Sequence, residues 1–269
     1  MELADILVCP KSGNRLRFDN NDSIVRVAGC DAVYPVIDGV IDFCDPDADT
    51  ISASYDRIAH RYDAYITSSS LSMKICSRIF WGIKDDTSYM DTVLSNLPTE
   101  FDGILLDVPV GTGVFTSSLY ARYPNATIIG VDSSMGMLQE AKNRFDKEGL
   151  KNIRLIRADA TCLPVRAGVV DIVLFLNGLH VFPDKRRAIA EMRRVLRRQG
   201  TLVACGYVKG LNKRSDWVVR HFLRRTGFFN PPFFSLDNLA EQLVGFTITQ
   251  EENLGSFVHF EAVNEGQEK

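Results

Sequence analysis

Apolar positions recur along this chain at two different spacings, and the change between them marks its organisation. From residue 103 onward, short β-rich apolar runs at residues 104–108, 127–131, 153–156, 169–176 and 201–208 are separated by helical segments. Strand, helix, strand, helix in this order predicts an α/β fold, a doubly wound parallel sheet with right-handed crossovers and helices on both faces, which two further runs near the C-terminus bring to seven mostly parallel strands. The clearest helix spans 184–198. Asp184 stands where a cap is wanted, and Ala188, Met192, Val195 and Leu196 recur at helical spacing. Gly200 follows where a left-handed C-terminal residue is favoured. The last two apolar runs, 246–250 and 257–263, are separated only by a few polar residues and Gly255, which predicts a C-terminal antiparallel hairpin.

The first fifty residues follow another rule. Apolar runs at 24–28 and 33–40 are broken by Asn20, Asn21, Asp22, Gly29, Pro35 and Gly39, the pattern of a small β module. The acidic stretch 45–49 has no apolar periodicity to bury and reads as a linker. Two domains are therefore expected, 1–50 and 51–269, the second with a lid-like insertion at about 209–240. Directly after the linker, Tyr55, Ile58, Ala59, Tyr62 and Ile66 form one stripe of an amphipathic helix that Ser52 or Ser54 could cap. A further helical stretch is expected over 72–95.

Composition narrows the class. With 269 residues, 45% of them hydrophobic, and 31 Lys+Arg against 34 Asp+Glu, the chain is excluded from general disorder and has no global attraction to nucleic acid. A body of this size buries roughly 70–75% of its unfolded surface, so it needs neither disulfides nor a structural metal. Cys9, Cys30, Cys44, Cys76, Cys162 and Cys205 include no Cys-x-x-Cys pair, and the first residues lack a basic segment followed by an apolar run. A reducing cytoplasm is the expected setting. The most apolar run, 169–176, contains Asp171 and is far shorter than the roughly 20 residues that cross a bilayer.

Candidate chemistry gathers at the end of the first strand of the larger unit, ILLDVPVGTGVFTSSL. Gly111 and Gly113 lie between a strand and a helix, where absent Cβ atoms let a ligand approach the backbone. Asp132 ends the second strand, 19 residues beyond Gly113, the spacing at which a carboxylate can accept both hydroxyls of a ribose. A nicotinamide or flavin fingerprint would place a third glycine at position 116, which is Thr116 here. Asp107 and Asp159 add two further carboxylates to the cleft. Carboxylates repel phosphates and suit a ligand with positive charge and amino donors, such as an adenosyl group bearing an amino acid and a sulfonium.

On these residues the chain resembles class I S-adenosylmethionine-dependent methyltransferases over about residues 52–264. DVPVGTG resembles that family's Asp/Glu-x-Gly-x-Gly-x-Gly loop and implies that Asp107, Val108, Pro109, Gly111, Thr112 and Gly113 surround the methionine moiety. Pro109 replaces the family's first glycine, which requires φ near about −65° and an unused N–H. VDSSMGML resembles the Asp-x-Ser-x-x-Met-Leu segment, with Asp132 on the ribose and Ser133 and Met137 bordering the adenine. ADATCLP implies that Asp159 meets the adenine amino group beside Ala160, and LFLNGLHVFPD implies a floor of Asn177, Gly178 and Leu179. LRRQGTL resembles the Leu-x-x-Gly-Gly-x-Leu turn, with Gln199 for the first glycine. DRIAHRYDAYI resembles the entry segment of quinone-biosynthesis C-methyltransferases, which gives Tyr62 the task of closing over the cofactor.

The N-terminal LVCPKSGNRLRF and CDAVYPVIDGVIDF resemble small zinc-ribbon-like domains found beside some methyltransferases. Each knuckle keeps one cysteine, Cys9 with Ser12 and Cys30 with Val33. Two thiolates do not make a tetrahedral site, so a degenerate module without metal is expected.

The resemblance implies an S-adenosylmethionine-dependent methyltransferase that releases S-adenosylhomocysteine after a one-step displacement at the methyl group, governed by alignment and exclusion of water. The expected acceptor is a small, partly apolar molecule. His180 is the candidate base, and His60, His221 and His259 receive no role. Trp217, Phe222, Phe228, Phe229, Phe233 and Phe234 in the insertion read either as an acceptor pocket or as the core of a lid. Lys185, Arg186, Arg187, Arg193, Arg194, Arg197 and Arg198, followed by Lys213, Arg214, Arg220, Arg224 and Arg225, could form an RNA footprint. In the first cluster the apolar stripe lies between the arginines, so a solvated outer face is the expected reading there. An RNA methyltransferase, a noncatalytic S-adenosylmethionine-binding module and an NAD-dependent oxidoreductase stay open as alternatives.

Overall fold

The computed structural model of the protein describes residues 2–18, 23–44, 52–66, 77–82, 88–226 and 228–266. The chain begins with α1 (Leu3–Ile6), β1 (Leu16–Phe18), β2 (Ile24–Val27), β3 (Val33–Ile37) and β4 (Val40–Asp42). Helix α2 (Ser52–Ile66), a π-helical turn (Ser77–Trp81) and α3 (Ser88–Ser95) precede β5 (Ile104–Asp107), α4 (Ser117–Arg122), β6 (Thr127–Asp132), α5 (Met135–Lys147) and β7 (Ile153–Arg157). Next come β8 (Val170–Leu176), α6 (Lys185–Val195) and β9 (Leu196–Tyr207). The insertion holds α7 (Lys213–His221), a 3-10 turn (Leu223–Arg225) and α8 (Leu236–Gln242), before the hairpin of β10 (Phe246–Leu254) and β11 (Phe257–Asn264).

The strands lie in the order β1-β2-β3-β4-β7-β6-β5-β8-β9-β11-β10. From β7 to β9 neighbours run parallel, while β11 is antiparallel to both β9 and β10. The expected doubly wound sheet with its C-terminal hairpin is thus the seven-strand portion from β7 to β10. Beyond it, β4 pairs parallel with β7 through Ile41–Ile156 and Asp42–Arg157, and β3, β2 and β1 continue the edge antiparallel.

Side chains on the inner strands alternate between two cores, as the period of two requires. Leu106, Ile129, Ile156, Val173, Leu202 and Ala204 join the core that α6 and the N-terminal strands cover. Leu105, Ile128, Leu155, Ile172, Leu174 and Val203 join the one under α3, α4 and α5. Burial on both faces explains why these strands read as unbroken apolar runs.

Two elements differ from expectation. Helix α6 stops at Val195, three residues short of 198, and the left-handed residue is Gln199 (φ 61°) rather than Gly200. Leu196 already pairs with Val170 as a strand residue, and the Asn264 amide donates to the carbonyls of Arg193, Leu196 and Arg197. The helical stretch expected over 72–95 is a π-helical turn and α3; residues 67–76 and 83–87 lie outside the described residues. So do the proposed linker 45–49, Cys76 and the side chains of Ser52, Ser54 and Ile66. Among the described residues no helix is long and apolar enough to cross a membrane.

Candidate functional site

The carboxyl ends of the parallel strands open onto a cavity of about 800 Å³, the place where open α/β sheets bind ligands. Strand order arranges its polar groups. Asp159 follows β7, Asp132 ends β6, Asp107 ends β5, and Asn177 and His180 follow β8. Three carboxylates therefore precede an amide and an imidazole along the cleft.

The turn after β5 requires its glycines: Gly111 and Gly113 have φ of 55° and 69°, and the Phe145 ring occupies the space a Cβ on Gly113 would need. On either side of Pro109, Val108 N–H donates to Leu174 O (3.0 Å) and Val110 N–H to Val131 O (2.9 Å). The donor that proline lacks is not one this turn uses. Asp132 ties the first two loops together. Its Oδ2 accepts from Gly111 N–H and its Oδ1 from Ser134 N–H, both at 2.9 Å. Each oxygen keeps a second lone pair for a ligand hydroxyl. Burial pushes this carboxyl up to about 6, against the pull of those backbone donors.

Asp107 is deeper. Burial pushes its carboxyl up to about 7, opposed by the Tyr120 and Thr116 hydroxyls. Tyr120 donates to Oδ2, whereas the buried Oδ1 has no well-oriented partner, and neither has the Thr116 hydroxyl beside it. A buried acceptor without a donor is costly, and a ligand ammonium would satisfy it.

Helix α2 closes one side. Asp56 Oδ1 accepts from the Ser134 hydroxyl (2.5 Å) and from Gly136 N–H (2.8 Å), while Asp63 accepts from the Thr112 hydroxyl (2.5 Å) and pairs with Arg144. These contacts hold Tyr55 and Tyr62 against the cavity, with Tyr55 edge-on to Phe228 at 4.8 Å. Burial raises the Tyr62 phenol to about 12, so it stays neutral.

Beyond Asp107 the lining turns aromatic. Trp81 stacks on Phe229 (5.7 Å, 11°) and tilts against Phe257 (5.5 Å), and His180 stacks on Phe229 at 4.5 Å. Asn230 fixes this wall: its N–H donates to His180 O (2.8 Å), its amide to Val181 O (2.7 Å), and its own carbonyl accepts from the buried Lys185 (2.6 Å). His180 Nδ1 accepts from Tyr207 N–H at 3.3 Å, and burial, with Lys185 nearby, pushes the imidazole down to about 3. A neutral ring that accepts at Nδ1 carries its proton on Nε2.

Of the residues singled out from sequence, Tyr62, Asp107, Val108, Pro109, Gly111, Thr112, Gly113, Asp132, Ser133, Met137, Asp159, Ala160, Asn177 and His180 line this cavity. Gly178 and Leu179 do not. Gly178 makes room for the Phe175 ring, and Leu179 is buried against Gly206. The aromatics of the insertion divide: Phe228 and Phe229 line the cavity, while Trp217 and Phe222 are exposed. Sequence reasoning missed Tyr55, seven residues before Tyr62 on the same stripe, together with Trp81, Tyr89 and Phe257. It also missed Pro10, Lys11, Phe43 and Cys44, which the N-terminal strands bring to the cavity wall.

A methyltransferase-domain family model matches residues 105–200. The ubiquinone/menaquinone biosynthesis C-methyltransferase UbiE of Syntrophotalea carbinolica is 31% identical over 178 residues, covering 64% of this chain and 69% of that protein. The chain belongs to the class I S-adenosylmethionine-dependent methyltransferases. A demethylmenaquinone methyltransferase of Thermotoga maritima is 29% identical over 198 residues, 71% of this methyltransferase and 79% of that one. An uncharacterized chloroplastic methyltransferase of Arabidopsis thaliana is 34% identical over 129 residues, 46% of this chain; the chain spans only 36% of that protein's length. Among solved structures, the complex between the Haloferax volcanii Trm112 methyltransferase activator and a putative methyltransferase matches with a TM-score of 0.60 and 15% identity, over 79% of this chain and 98% of that one. This last likeness is one of fold.

The residues present fit the family's cofactor. The orphaned Asp107 Oδ1 suits its ammonium, the open side of Gly111 suits close approach of its methionine portion, and the spare lone pairs of Asp132 suit its ribose.

Proposed function

We propose that this methyltransferase transfers the methyl group of S-adenosylmethionine to a small, aromatic, partly apolar acceptor seated between Asp107 and the ring cluster of Trp81, Phe229 and Phe257. The observation that carries this reading is that one cavity holds both the carboxylates at the ends of β7, β6 and β5 and, on the β8–β9–β11 side, the packed rings of Trp81, Phe229, Phe257 and His180. S-adenosylmethionine, when bound, supplies a methyl group activated by a sulfonium. Asp132 holds the ribose, Asp107 the ammonium, and Asp159 with Ala160 the adenine edge, while Tyr55 and Tyr62 on α2 exclude water. Residues 1–50 serve the domain 51–269 by walling the adenine end with Pro10, Phe43 and Cys44. The environment of His180 favours a different task from the proton abstraction expected from sequence. With its proton on Nε2 and its basicity depressed by burial, His180 donates a hydrogen bond that orients an acceptor oxygen.

Titration calorimetry with S-adenosylhomocysteine and NAD, followed by turnover assays in which demethylmenaquinone heads the acceptors, tests the proposal. Binding of S-adenosylhomocysteine but not NAD, lost in Asp132→Ala, together with methylation of an apolar acceptor, is the expected result. Preference for NAD would overturn it. Binding without turnover of any apolar acceptor would leave a noncatalytic module.

A further inference from the structure

The insertion carries a surface that the cavity does not use. On α7, Ser215 and Val219 turn inward, whereas Trp217 is 56% exposed and Phe222, which closes the helix, is 58% exposed. The turn Ser77–Trp81 lies against the start of this helix, the Phe80 carbonyl accepting from the Ser215 hydroxyl and the Asn212 amide. It adds Ile79 and Phe80, both exposed. Four of the seven exposed large hydrophobics among the described residues thus come from two neighbouring segments, which is not the scatter expected of an ordinary surface.

Among the described residues of these two segments, the exposed charges are all basic. Lys209, Lys213, Arg214, Arg220, Arg224 and Arg225 are exposed within 209–226, and Arg78 is exposed on the turn. The single acid in that span, Asp216, is turned inward: its carboxylate accepts from the Tyr207 hydroxyl (2.6 Å) and from Gly210 N–H. A chain of net charge −3 has concentrated positive charge beside exposed Trp, Phe and Ile.

We propose that the exposed side of α7 and the 3-10 turn after it, with residues 78–80 alongside, docks the protein on an anionic lipid surface. Indole and phenyl groups settle at the boundary between headgroups and acyl chains, and lysine and arginine meet the lipid phosphates. A nucleic acid would want open ring faces for bases to stack on. Here the two exposed rings, Trp217 and Phe222, pack on each other (5.5 Å, 61°) and beside His221 (5.3 Å) instead of standing as a row of separate platforms, and Ile79 offers no stacking face. The same segments continue into the cavity wall, Phe80 into Trp81 and the 3-10 turn into Phe228 and Phe229. The docked face thus adjoins the aromatic end, where an acceptor dissolved in lipid would enter. Docking requires only the exposed rings and basic residues of this surface, whichever acceptor the cavity takes.

The test is flotation of the full chain with vesicles of phosphatidylcholine alone and of phosphatidylcholine with phosphatidylglycerol, with single-stranded RNA as competitor. The expected result is binding to the anionic vesicles only, weakened by added salt. The exposed-site variant Trp217→Ser/Phe222→Ser and the charge-reversed Arg220→Glu/Arg224→Glu/Arg225→Glu should each lose more than about tenfold in partitioning, with S-adenosylhomocysteine affinity and thermal melting unchanged. Failure to float with anionic vesicles, equal binding to both kinds, undiminished binding of both variants, or displacement to RNA in preference to lipid would each overturn the proposal.

Discussion

Asp107 concentrates the conflict between stability and binding on one carboxyl. Burial raises it from 3.8 to about 7, so between about pH 4 and 7 the folded protein keeps a proton that the unfolded chain has released. Stability from this group therefore falls as pH rises through that window and stays lost above it. Asp107→Asn, which cannot ionise, should gain thermal stability relative to the wild type on going from pH 5 to pH 8, as read by melting of the free protein. Binding should follow the opposite course. In the wild type, S-adenosylhomocysteine affinity should fall as pH drops from about 7 to about 6, approaching about tenfold per unit, whereas the variant should bind weakly with a flat profile in calorimetry until Asp132 titrates at about 6. Asp107 and Asp132 were legible from spacing to the glycines. Gly136 was not: a Cβ there would lie 3.1 Å from the Asp56 backbone, a constraint created only when α2 docks on α5.

Local pattern identified the elements better than it identified their ends. Asp184 caps α6 as expected, its side chain accepting from Arg187 N–H. The other end is decided by residues far away in sequence: Val170 draws Leu196 into the sheet, and Asn264 on the last strand satisfies three carbonyls at the junction. Asn264 is 3% exposed. Asn264→Ala would leave those carbonyls without their donor and should cost about 1–3 kcal/mol in urea unfolding. Affinity for S-adenosylhomocysteine should be unchanged, because the residue lies away from the cavity lining.

At the scale of the whole molecule, the N-terminal strands complete both the sheet and the site. Asp42 at the end of β4 pairs with Arg157 at the end of β7 (3.1 Å), and Arg157 also donates to the Ser133 carbonyl beside the cofactor loops (2.9 Å). A double-mutant cycle on Asp42→Asn and Arg157→Gln should show coupling of roughly 0.5–3 kcal/mol. Arg157→Gln should also weaken S-adenosylhomocysteine binding; additive effects would mean that the strands associate without this pair. The sequence by itself determined the doubly wound order, the terminal hairpin and the carboxylates around the glycine turn. Each depends on periodicity or spacing within one strand-turn-helix unit, where neighbours in sequence are neighbours in space. Only the tertiary structure decided that β4 would join the edge of β7, that Trp81 and Phe257 would meet Phe229, and that Tyr207 N–H would fix the His180 proton on Nε2. These depend on backbone pairing, burial and ring contacts between segments distant in sequence, to which no local pattern refers.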